Sequence, residues 1–193
     1  DMYYAQMSEG GHSNGSETGA NAYAFAVKEA MRAAGVPAGA DVMLVGHSFG
    51  AYTAMELASD PTFNDAMGRD LGGPYHVNVT HVLGAGANVG FRLDDLPSGT
   101  RGLLINNQAD AAVLLEQAVP ANNDVSSSSQ HSFVQFRDIP TSGAEGAGHD
   151  PGVYSNQLRH SDDGAVQSFL SSANGDYNTE GDMMRVTVKD AYR

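Results

Sequence analysis

The chain has 193 residues, enough for one sizeable core and short for two, and its 41 % hydrophobic and 17 % charged shares describe an ordinary globular domain. A formal charge of −13 disfavours nucleic acid and anionic membrane surfaces as partners, because phosphate binding needs basic patches. No cysteine is present, which excludes disulfides and thiolate metal sites and leaves the compartment, cytoplasmic or secreted, unassigned; no apolar run approaches the roughly 20 residues that span a bilayer.

In chain order, "DMYYAQM" (1–7) reads as a short strand followed by a Gly/Ser-rich loop. Helical spacing then runs from Ala20 to Ala34 through Tyr23, Ala26, Val27, Ala30 and Met31, with Gly35 and Pro37 as its stop. Val42, Met43, Leu44 and Val45 are apolar without alternation, the pattern of a parallel strand covered on both faces. Ala51, Ala54, Met55 and Ala58 follow at helical spacing. "HVNVTHVLGAG" (76–86) and "RGLLINNQAD" (101–110) carry two further strands, and "DAAVLLEQAV" (110–119) a short helix. "DVSSSSQ" (124–130) suits an exposed connection, "HSFVQFRDI" (131–139) a strand, and "PTSGAEGAGHDPG" (140–152) a loop. The tail "MMRVTVKDAY" (183–192) suits an edge strand. There is no internal repeat, so 1–193 reads as a single domain. Strands alternating with helices predict an α/β fold with a doubly wound, mainly parallel sheet, whose function sits beyond the strand C-termini.

Between the strand at 42–45 and the helix after it lies Gly46-His47-Ser48-Phe49-Gly50, a G-x-S-x-G pentapeptide. In a tight strand-to-helix turn such a serine is strained and lifted above the sheet, with small residues on either side letting backbone approach. The competing role for Ser48 is a helix cap in a glycine-rich turn. A serine nucleophile needs a base, and the base a carboxylate to orient it. Asp110 follows one strand and His149 lies in the loop after another, so both fall where the C-terminal edge of a parallel sheet would put them. Asp94 and Asp95 are the main alternatives for the acid, and His160 in "LRHSDD", within a charged turn, is the alternative for the base. Asp138 reads as a strand terminus. His81 and His131 sit in strand patterns that suit pairing or core-edge positions, and His12 lies in a loop that could touch substrate. No H-E-x-x-H spacing points to a metal, and "GAGAN" (84–88) falls short of the G-x-G-x-x-G nucleotide motif.

The pentapeptide, with an acid and then a histidine after later strands, resembles the α/β-hydrolase serine esterases and lipases over about residues 3–150. "YYAQMSEGGHSNGS" is similar to the strand and glycine-rich turn that precede the nucleophile strand in that family. Position by position, the resemblance implies Ser48 as nucleophile, His149 as general base and Asp110 as its orienting acid. Phe49 would supply one oxyanion-hole amide, and His47 a substrate contact. The family's second donor follows an earlier strand, for which only the end of the first strand, near Gln6 and Met7, stands in here. The family usually begins with further strands than this sequence carries, so the resemblance implies either a minimal fold complete in itself or the C-terminal part of a longer hydrolase chain, with the second favoured. The implied activity is hydrolysis of a small-molecule or lipid carboxylic ester without a cofactor. An acyltransferase using the same triad, or a silent interaction domain that keeps the elbow, are the alternatives.

Overall fold

Consecutive apolar residues hold a strand in place when both faces of its sheet are covered, and the central strands here follow that rule. The computed structural model describes residues 27, 29–60, 63, 77–87, 93–117, 130–136 and 147–177. Among these residues four strands, β1 (Asp41–His47), β2 (Asn78–Ala85), β3 (Arg101–Asn107) and β4 (His131–Phe136), form an all-parallel sheet in the order β1-β2-β3-β4. The helices are α1 (29–33), α2 (Phe49–Ser59), α3 (Ala111–Gln117), α4 (Pro151–His160) and α5 (Gly164–Tyr177). The strand expected at 1–7, most of the helix expected from Ala20, the serine-rich connection up to 129 and the tail strand at 183–192 lie outside the described residues.

Alternation along the strands sends side chains into two apolar layers. Leu104 of β3 joins Leu44, Val82, Ala51 and Met55 on the face covered by α2. Leu103 and Ile105 turn to the other face, where they meet Leu83 with Tyr154 of α4 and Val166 and Phe169 of α5. All three β3 residues are fully buried, and each such side chain contributes about 1.5–3 kcal/mol. Among the described strands β2 and β3 are thus the interior pair. The α/β class with helices on both faces follows as expected. No helix among the described residues is long and apolar enough to cross a membrane.

Register then decides where the loops emerge. His47 lies opposite Ala85, Ala85 opposite Ile105, and Asn107 opposite Phe136. The C-terminal ends of all four strands therefore share one edge, and the segments after β1, β3 and β4 leave from it together.

Helix ends follow local chemistry. Helix α1 closes where expected, with Gly35 at φ 77, its N–H on the Arg32 carbonyl and the Val36 N–H on the Met31 carbonyl. That pattern of two backward bonds requires a left-handed residue, which glycine adopts without penalty. The stretch 140–152 does not remain a loop to its end. A single 3₁₀ turn occupies Ala147–His149, and Pro151 opens α4 with Asp150 capping the Gly152 N–H at 2.6 Å. Helices α4 and α5 were not anticipated from the sequence. α4 buries only Tyr154, so it lacks an apolar stripe. α5 does carry one, at Val166, Phe169 and Ala173, behind an Asp163 side chain that accepts from the Ala165 and Val166 amides. The charged turn assigned to His160 is instead the last residue of α4, where the exposed imidazole donates to the Asn156 carbonyl at 2.9 Å.

Candidate active site

Ser48 stands between the last residue of β1 and the first of α2 with φ 54 and ψ −126. It is the only non-glycine residue with positive φ among those described. A backbone held in that region costs of order 1–3 kcal/mol and persists only when its surroundings over-determine it. Here the Ser48 N–H donates to the Ala85 carbonyl of β2 at 2.8 Å, and the Ser48 carbonyl accepts from Ala51 at 2.9 Å. The side chain makes no cap on α2. Its hydroxyl is directed elsewhere, so the capping role is not the one it plays.

The two flanking glycines are not equivalent. A Cβ on Gly46 would lie 2.1 Å from the Gly50 carbonyl oxygen, whereas a Cβ on Gly50 would meet nothing within 4 Å. Only the first glycine is needed for close approach, which corrects the symmetric reading of the pentapeptide. Gly46→Ala is expected to destabilise the fold by more than about 3 kcal/mol, because the clash is with backbone that cannot rotate away. Gly50→Ala is expected to be neutral or to stabilise by up to about 1 kcal/mol through helix propensity. Urea melts of the two variants check this, and equal midpoints would refute it.

The carboxylate comes from the segment after β3. Asp110 is fully buried, and its Oδ1 accepts from the Ala112 and Val113 amides at 2.9 and 3.3 Å, opening α3. Its Oδ2 accepts from His149 Nδ1 at 2.8 Å and from the Tyr154 hydroxyl at 2.6 Å. Four donors thus replace the water that burial removed. His149, at the end of the 3₁₀ turn, is held against the β3–α3 junction by Gly148, where a Cβ would fall 2.3 Å from the Ala109 carbonyl oxygen. Its other nitrogen, Nε2, lies 2.8 Å from Ser48 Oγ. An ionised carboxylate only accepts, so Nδ1 carries the proton and Nε2 is left to accept from the serine hydroxyl. The imidazole is 32 % exposed and Ser48 is half-buried, while Asp110 is fully buried.

Comparison with family models, curated proteins and solved structures finds no match for this chain.

The other sequence candidates fall elsewhere. His131 Nε2 pairs with Asp94 Oδ1 at 3.0 Å, at the start of β4 and so at the opposite end of the sheet from Ser48. Asp95 is exposed in the same turn as Asp94. His81, expected at a pairing or core-edge position, is fully buried in β2, with Nε2 on Ser172 Oγ at 3.0 Å and Nδ1 on Thr80 Oγ1 at 2.9 Å. His12, Asp138 and Met7, the last expected to lend the second oxyanion amide, lie outside the described residues. Phe49 is the first residue of α2, where helical amides have no intrahelical partner, as an oxyanion donor requires. No group of three or more metal-ligating side chains occurs among the described residues.

His47, expected to contact substrate, packs its ring against His149, with centroids 4.8 Å apart, and against Tyr154 at 5.7 Å. Its Nε2 is buried and has no hydrogen-bond partner among the described residues. Burial first, and the neighbouring His149 second, lower its pKa below the ordinary histidine value. A neutral His47 adds no charge beside the His149 imidazole. Tyr154 was missed altogether, because nothing in "GVYSNQL" marks one tyrosine as reaching a carboxylate 44 positions earlier.

Proposed function

We propose that the chain is a serine hydrolase of the α/β-hydrolase type that cleaves a carboxylic ester through an acyl-enzyme on Ser48. The observation that carries this reading is the unbroken chain from Ser48 Oγ through His149 to Asp110, at 2.8 Å in each link, built on a serine with φ 54. Ser48 Oγ attacks the ester carbonyl carbon as His149 Nε2 takes the hydroxyl proton. The tetrahedral oxyanion is met by the Phe49 N–H. The carbon–oxygen bond to the alcohol then breaks as His149 returns that proton to the leaving oxygen. Water adds to the acyl-enzyme with the same base and releases the acid, restoring Ser48. Asp110 keeps the imidazole in the required tautomer and offsets the imidazolium charge. A second oxyanion donor belongs to this mechanism, since losing one costs about 10²–10³-fold in rate.

A fluorophosphonate probe tests the nucleophile, base and oxyanion site in one experiment. The expected result is covalent labelling of the intact chain, with the modified peptide mapping to Ser48. A protein that is folded but stays unlabelled, or that labels at another serine, would sink the reading.

A further inference from the structure

We propose that Tyr154 is a positioning residue for the proton relay, sharing the Oδ2 atom of Asp110 with His149 and so limiting how strongly the carboxylate holds the imidazolium. The proposal rests on the hydrolase reading of Ser48, His149 and Asp110.

The direction of the bond is set by its surroundings. The Tyr154 oxygen accepts from the Asn107 backbone N–H at 3.3 Å, which leaves its own proton for Asp110 Oδ2 at 2.6 Å. Burial, and then the bond to Asp110, raise the phenol pKa well above its ordinary value, so the group stays a donor throughout the working range. Tyr154 is 2 % exposed, and no solvent competes for its hydroxyl.

Its route to the carboxylate is the same as the base's. His149 and Tyr154 lie five positions apart, and Asp150 between them caps α4 and accepts from the Val153 and Tyr154 amides. One rigid stretch therefore brings both donors to one oxygen. Gly86, at φ 68, lies beneath them; a Cβ there would fall 3.0 Å from the Tyr154 ring, 3.2 Å from His47 Nε2 and 3.3 Å from Asp110 Oδ2.

Two donors on one oxygen compete, and each draws electron density that the other would receive. With the phenol in place, Asp110 orients His149 without binding its cationic form so firmly that proton return to the leaving alcohol slows. Among the described residues, the other titratable groups of this neighbourhood are His47 on β1 and Asp150 at the head of α4. Both are unchanged in the variants below.

The test is the pH dependence of kcat/KM for an activated short-chain ester, whose acid limb reports the base of the free enzyme. Tyr154→Phe keeps the ring and removes the donor; its acid limb is expected to move up by roughly half to one pH unit, because a carboxylate no longer shared with the phenol favours the neighbouring imidazolium more strongly. Site-specific 3-fluorotyrosine at 154 keeps the shape and strengthens the donor, and is expected to move the limb down. Acid limbs that coincide with the wild type in both proteins would overturn the proposal, even if their melting temperatures fell. Should Tyr154→Phe fail to fold, the fluorotyrosine protein decides alone, a downward shift supporting the assignment and an unmoved limb overturning it. Wild-type protein unlabelled at Ser48 would instead defeat the hydrolase reading beneath it, so the two failures are distinguishable.

Discussion

Ser48→Ala is expected to lower kcat for ester hydrolysis by on the order of 10⁵–10⁶-fold, the scale seen when the nucleophile of a serine triad is removed. The fold is expected to survive, because alanine at φ 54 carries the same backbone strain as serine and occupies less space. The nitrogen left behind, His149 Nε2, belongs to an imidazole that is one-third exposed, so water can replace the lost hydroxyl. Ser48→Gly supplies the control. It removes the hydroxyl equally, yet glycine adopts positive φ without penalty, so it is expected to be more stable than the alanine variant by about 1 kcal/mol. For a chain of this length that is about 2–4 °C in melting temperature. Esterase assays and thermal melts on the two proteins separate chemistry from strain. Undiminished turnover in Ser48→Ala would end the hydrolase reading, and equal melting temperatures would show that the turn stores no strain.

His149→Ala is expected to lose kcat on a similar scale, about 10⁵–10⁶-fold, while His160→Ala stays within about twofold of wild type. Both imidazoles lie on the stretch after β4, and the difference between them is geometric. His149 bridges Ser48 and Asp110 through both ring nitrogens, whereas His160 is exposed at the far end of α4 and bonds the Asn156 carbonyl. Truncating His149 leaves Asp110 Oδ2 with the Tyr154 donor and Oδ1 with two backbone amides, so the buried carboxylate is not stranded. Circular dichroism of the folded variant is therefore expected to match wild type. A loss confined to His160→Ala, or equal losses in the two variants, would show that the base had been misassigned.

The strained turn was legible because its causes are local. Val42 to Val45 form the strand, although only Leu44 of the four is buried, Ala51 to Ala58 give a helical face, and Gly46 alone lets the Gly50 carbonyl close against it. The stop at Gly35 was legible for the same reason, a left-handed residue completing two backward hydrogen bonds. The order of Ser48, Asp110 and His149 could be read along the chain, since each follows a strand-like run. Their meeting could not, because His131 with Asp94 offers the same chemical types and forms a pair of nearly the same length. Parallel register separates the two pairs. It gathers the segments after β1, β3 and β4 at one edge and leaves the starts of β3 and β4, with His131, at the other. Tyr154 and the buried face of α4 depend on the same long-range packing, one side chain docking against the end of β3 with no apolar repeat to announce it. Local backbone geometry is encoded by neighbouring residues, and those can be read in sequence. The partner of a buried carboxylate is chosen by which strands lie side by side, and only the folded sheet decides that.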